Sequence, residues 1–155
     1  MLPQPQSAQT VKVWDIWVRI THWAVSAGIF VNLIVTEGGS DVHEYIGYAV
    51  VALVVSRLLW GLVGSQYARF SNFFPTPTRI REHMTDIKQH KFHGHLGHNP
   101  LGALMMFALW GFIIALGVTG FLQTTDQFWG DDIIQAIHEF LANSLWVLVP
   151  LHVAA

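Results

Sequence analysis

The sequence predicts an all-α protein: a four-helix transmembrane bundle with both termini cytoplasmic and a short cytoplasmic surface helix between spans two and three. Three observations predict it. Of 155 residues, 52% are hydrophobic and only 12% charged, where soluble domains carry roughly a quarter charged residues. Four apolar runs each supply the about 20 helical residues that a ~30 Å hydrocarbon core requires. Lys and Arg gather on one side of those runs.

Residues 1–13 are rich in Gln and Pro and read as a flexible N-terminal segment. No positive region precedes Lys12 and no small-residue cleavage site closely follows the first apolar run, so that run is expected to stay as a helix. The spans are 17–36 ("WVRITHWAVSAGIFVNLIVT"), 44–64 ("EYIGYAVVALVVSRLLWGLVG"), 101–122 ("LGALMMFALWGFIIALGVTGFL") and 134–155. Between the second and third lies the polar stretch 65–99. Its piece "TPTRIREHMTDIKQHK" reads as a short surface helix after the Pro75/Pro77 break. Asn99-Pro100 opens the third span, with Asn as N-cap and Pro in the first helical position.

Lys12 and Arg19 precede or begin span one, and Arg69, Arg79, Arg81, Lys88 and Lys91 follow span two. Arg57 lies in the half of span two nearer that loop. The loops 37–43 and 123–133 contain no Lys or Arg. The N-terminus and the 65–99 loop are therefore expected on the cytoplasmic side, with the two short acidic loops opposite. Trp14, Trp17 and Trp60 on the inner side and Trp129 on the outer suit interfacial belts.

Ionisable side chains within spans are costly and usually functional. His22, His43, His138 and His152 fall within or at the edges of spans. His22 is near the inner end of span one and His43 opens span two at the outer side. Span four runs inward, so His138 is outer and His152 inner. The fourteen residues between them rise about 21 Å and turn four times less about 40°, leaving both on one face. Four imidazoles thus sort into two levels, each served by two helices, as bundles build cofactor sites.

The chain has no cysteine, which excludes disulfides, cysteine-ligated iron–sulfur clusters and Cys-x-x-Cys-His haem attachment. Two histidines per level are too few for a structural zinc. They suit a b-type haem, whose ring supplies four nitrogens and leaves two axial positions. Four residues after three of these histidines stand Ser26, Gly47 and Ala142, small enough for a flat ring or simply for helix packing. The rival is that the histidines are caps or interfacial groups. Arg57, fourteen residues after His43, shares its face at the inner level. Its permanent charge calls for an anion such as a haem propionate, or it snorkels to the inner interface.

"VWDIWVRITHW", "HEYIGYAVVALVVSRLLWGLVGSQYARFSNF", "GHNPLGALMM" and "HEFLANSLWVLVPLHVAA", in that order, resemble the bacterial cytochrome b561 and nickel–iron hydrogenase b-type cytochrome family over residues 11–155. The resemblance implies a four-helix membrane domain over 14–155 with two b haems as cofactors. His22 and His152 would be axial iron ligands of the inner haem, His43 and His138 those of the outer. It further implies electron transfer across the bacterial inner membrane between a periplasmic redox protein, such as a c-type cytochrome, and the quinone pool. Family members usually continue past the second histidine of span four. Here the sequence stops at "HVAA", with Pro150 two residues before His152. The expectation is a truncated sequence or a weakly held inner haem with His152 in a fraying last turn. His98 is a poor substitute ligand.

Three rivals stand beside that reading. One is an oxidoreductase using the same haems on a small periplasmic species and reducing quinone; another is the membrane anchor of a hydrogenase- or formate dehydrogenase-like enzyme. The third is a haem-free membrane protein with histidines for metal or protons. "HKFHGHLGH" places His90, His93, His95 and His98 on the cytoplasmic side, with His83 before them. Without Cys or acidic residues among the four it reads as a polar inner-surface loop rather than a zinc, copper or nickel site. The surroundings are membrane lipid. A net charge of −2 gives no footing for nucleic acid.

Overall fold

The computed structural model describes residues 14–90 and 99–154. The segment 1–13 and the tract holding His93, His95 and His98 lie outside the described residues. Among the described residues six α-helices follow one another: α1 (Ile16–Ile34), α2 (Asp41–Val63), α3 (Phe70–Phe73), α4 (Pro77–Lys88), α5 (Pro100–Gln123) and α6 (Asp132–Ala154), with a 3₁₀ turn at Gln66–Ala68. The four apolar runs become α1, α2, α5 and α6, and the surface helix becomes α4. Three of them, α2, α5 and α6, are long and apolar enough to cross a bilayer. At 19 residues, α1 has the length. Arg19, His22 and Asn32 lower its hydropathy, and it falls outside that group.

Each long helix begins at a side chain that takes up otherwise orphaned N–H groups. Asp15 Oδ1 accepts from Val18 N–H at 2.8 Å, and Ser40 Oγ from His43 N–H at 3.3 Å. Asn99 Oδ1 accepts from Gly102 N–H at 2.7 Å, with Pro100 in the first turn as its fixed φ favours. Asp131 Oδ1 accepts from Ile133 and Ile134 at the head of α6. Gly39 and Gly130 take φ of 77° and 73° in the two short turns, a conformation that costs glycine nothing.

The helices pack in chain order: α1 along α2, α2 against α5, and α5 along α6. Two glycines permit the close approach, as small residues do between membrane helices. A Cβ on Gly28 would run into Val50, and one on Gly117 into Val51. At the centre Val50, Val54 and Ile113 are buried, Val54 completely, with Val25 and Ile29 of α1 laid over them.

The stretch 65–76, expected to be polar loop, folds on an aromatic cluster instead. Phe70 sits on the bare face of Gly61. Its ring lies 5.3 Å from Phe107 and 6.0 Å from Trp110, binding α3 to the start of α5. At the same end Asp15 Oδ2 accepts hydrogen bonds from Trp60 Nε1 at 2.8 Å and from the Ser65 hydroxyl. The start of α1 is thereby fastened to the end of α2.

Candidate functional site

The four candidate histidines come together in two pairs. His43 on α2 and His138 on α6 have ring centroids 6.3 Å apart, with planes inclined at 64°. At the opposite end His22 on α1 and His152 on α6 are also 6.3 Å apart, inclined at 46°. His43 and His138 are half-buried; His152 is half-buried and His22 exposed. One helix, α6, presents a ring at each level. It continues through Ala154 with Pro150 inside it, so His152 stands on helical backbone in the last turn.

That spacing can be compared with ligation. Two imidazoles bound on opposite sides of one first-row metal, each at ~2.0–2.1 Å with the ring centre ~1.1 Å beyond the nitrogen, have centroids about 6.3 Å apart. Both pairs meet this value. Two donors are also the number that haem iron leaves for the protein, and among the described residues no group of three or more His, Cys, Asp or Glu is placed to hold a free metal ion.

His43 and His138, the upper pair, border a cavity of about 810 Å³ lined from all four long helices, within the ~300–1,000 Å³ usual for cofactor pockets; His22 and His152 are the lower pair. Gly28, Gly47, Gly117 and Gly120 form part of its wall, with Ala142 on α6. A Cβ on Gly120 would stand 3.3 Å from Cε1 of His138, so this glycine is what lets that ring lie against α5. Gly47 and Ala142 are two of the three small residues expected beside a flat ring. Ser26, the third, belongs with His22 at the other end, where its hydroxyl donates to the His22 carbonyl at 2.8 Å. Gly39, Trp129 and Asp131 of the two short turns also line it, and Trp129 is 78% exposed.

Two threonines that sequence reasoning passed over complete the upper pair. Thr36 Oγ1 lies 3.2 Å from Nδ1 of His43, and Thr119 Oγ1 lies 2.9 Å from Nδ1 of His138. Thr119 is buried. A hydroxyl within an apolar span is the one sequence signal that would have singled it out, and it is weak, since Thr also satisfies itself on its own helix.

Arg57 is 4% exposed. Both terminal nitrogens donate to the Ala68 carbonyl at 3.3 Å, and the guanidinium lies 5.6 Å from the centre of the Trp110 ring, within cation–π range. The anion within electrostatic reach is Asp15. Burial works against charge on Asp15. Hydrogen bonds from Ser65, Val18 N–H and Trp60, with the charge of Arg57, outweigh it and hold the carboxyl below the ordinary range.

A family model for prokaryotic cytochrome b561 matches residues 13–155. The probable Ni/Fe-hydrogenase B-type cytochrome subunit of Bradyrhizobium diazoefficiens is 26% identical over 140 residues, covering 72% of this chain and 57% of that protein. The chain therefore spans a little over half the length of this curated relative. No solved structure matches it.

Proposed function

The chain belongs to the prokaryotic cytochrome b561 family, a membrane cytochrome b with an electron-transfer role, and from that premise we propose that it holds two b haems. His43 and His138 would bind one and His22 and His152 the other. The observation that carries this reading is the common 6.3 Å spacing of the two ring pairs, equal to that of imidazoles on opposite faces of one iron. When bound, haem supplies reversible one-electron chemistry. The protein's part is to fix ligand orientation, exclude water and set the two sites at opposite ends of α6.

Four spans are proposed, with α1 as the fourth beside α2, α5 and α6. The positive residues Arg19, Arg69, Arg79, Arg81 and Lys88 support a cytoplasmic location for the end bearing His22 and His152. Both termini and α4 then lie on that side, in the bacterial inner membrane. The four histidines would hold the haems without leaving a place for substrate on the metal, so the chemistry supplied would be outer-sphere electron transfer. A periplasmic redox protein such as a c-type cytochrome and the quinone pool are the proposed partners. Arg57 has N–H groups beyond those on Ala68 and is proposed to meet a propionate at the inner level.

A second reading is favoured by the relative's name: the chain serves as the cytochrome b subunit of a hydrogenase-like complex. Co-purification of a large metalloenzyme subunit from native membranes separates it from a free carrier.

The decisive measurement is haem-to-protein stoichiometry with reduced-minus-oxidised spectra. A value near two in the wild type, falling to about one in both His138→Ala and His152→Ala, is expected. A protein without reduced b-type bands, or one whose content survives both substitutions, overturns the proposal.

A further inference from the structure

The hydroxyls of Thr36 and Thr119 do more than touch the two upper imidazoles. A neutral imidazole carries its proton on one nitrogen and leaves a lone pair on the other, and only the lone-pair nitrogen binds metal. Which nitrogen is protonated follows from what the other faces.

Thr119 Oγ1 lies 2.9 Å from the Ala115 carbonyl and 3.2 Å from that of Leu116. Carbonyls only accept, so the single hydroxyl proton points toward them. Its oxygen then offers lone pairs to Nδ1 of His138, and the ring must be the donor. Turned the other way, the hydroxyl oxygen would face carbonyl oxygens with no proton between them.

Thr36 reaches the same result by another route. Asn32 Nδ2 donates to the His43 carbonyl at 3.0 Å, which fixes the orientation of the carboxamide and leaves Oδ1 as acceptor. Thr36 Oγ1 lies 3.3 Å from both Asn32 Oδ1 and the Asn32 carbonyl, so its proton is used there. The oxygen is left to accept from Nδ1 of His43 at 3.2 Å.

We infer that Thr36 and Thr119 are positioning residues that hold His43 and His138 as the Nδ1–H tautomers, presenting a bare Nε2 from each side of the upper cavity. The two threonines come from different elements, the turn after α1 and the C-terminal part of α5, yet each hydroxyl spends its proton on a carbonyl and accepts from a ring. The inference rests on the proposed ligand role of His43 and His138. It adds a prediction about electronics: an N–H donated to a fixed acceptor enriches the opposite nitrogen and makes it a stronger ligand, favouring the ferric state.

The test uses the full-length protein with Thr119→Val, Thr119→Ser and Thr36→Val, read by redox titration of each haem and by the rate of haem transfer to apomyoglobin. In Thr119→Val and Thr36→Val the midpoint of the upper haem is expected to move positive. Transfer of that haem should accelerate roughly 10–100-fold, the usual effect of losing an outer-shell partner. Thr119→Ser should restore both values, and the haem at His22 and His152 should keep its midpoint. Should Thr119→Val not assemble, Thr36→Val decides alone. Wild-type midpoint and transfer rate in the Val variants, or equal losses in Thr119→Ser and Thr119→Val, overturn the inference. His138→Ala run in parallel keeps the outcomes apart: if it retains the upper haem, the ligand assignment itself has failed.

Discussion

Asp15 Oδ2 accepts the indole N–H of Trp60 at 2.8 Å, a bond from the first residue before α1 to the last turn of α2. The same carboxylate receives Ser65, Val18 and the field of Arg57, and is held below its ordinary range. A carboxyl depressed in the folded state contributes stability that is present above its unfolded pKa, about 3.9, and is lost as pH falls through the lower folded value. The wild type should therefore exceed Asp15→Asn in thermal stability by a constant margin from pH 8 to 5. That margin should shrink below about pH 4. Unfolding of both proteins in detergent across this range measures it; a margin that widens on acidification contradicts the assignment.

The approach of α2 to α5 depends on Gly117, where an added Cβ would run into Val51. Overpacking of this kind costs typically 1–3 kcal/mol. Gly117→Ala is expected to lower the unfolding temperature in detergent, and Val51→Ala in the same chain to recover part of the loss. Additive losses in the double variant would show that the two residues do not share the contact.

At Gly47 the nearest atom to an added Cβ is Asn32 Nδ2 at 3.7 Å, ordinary contact distance, and the residue lines the upper cavity. Alanine should be accepted there. Leucine should fill the space beside His43 and remove most of the proposed upper haem, while the proposed lower one stays. Haem content by pyridine haemochrome, with potentials to tell the two sites apart, reads the difference.

Arg57→Leu strips two donors from the buried Ala68 carbonyl. The cost is about 1–3 kcal/mol for an orphaned group, felt first in the 66–73 segment. Limited proteolysis should cut that segment faster. If Arg57 also meets a propionate, the haem proposed at His22 and His152 shifts in spectrum while the upper one does not. Arg57→Lys should rescue little of either effect, because an ammonium cannot reproduce the planar fork.

Much of this architecture is legible in the sequence. Hydrophobic length marks four long helices, "NP" marks the start of α5, and the fourteen-residue step from His138 to His152 puts one ring at each end of α6. These features are local or periodic, and a helix converts them directly into position. Less legible are those that depend on how one helix is rotated against another. Nothing in the order of residues says that Thr119 faces His138. Nor does it say that the anion facing Arg57 is Asp15, or that Phe70 finds the bare face of Gly61 and draws the chain after α2 back onto α5. Polar residues 65–76 read as loop because the apolar ones among them have no period until a partner surface supplies one.

Because His138 and His152 hang from the same rod, α6 behaves as a shared axle for both rings. It cannot roll or slide to suit one level without carrying the other out of line, so its pose is a compromise tuned at two points at once. A substitution that tilts α6 near Leu145, midway between them, should disturb both ends together.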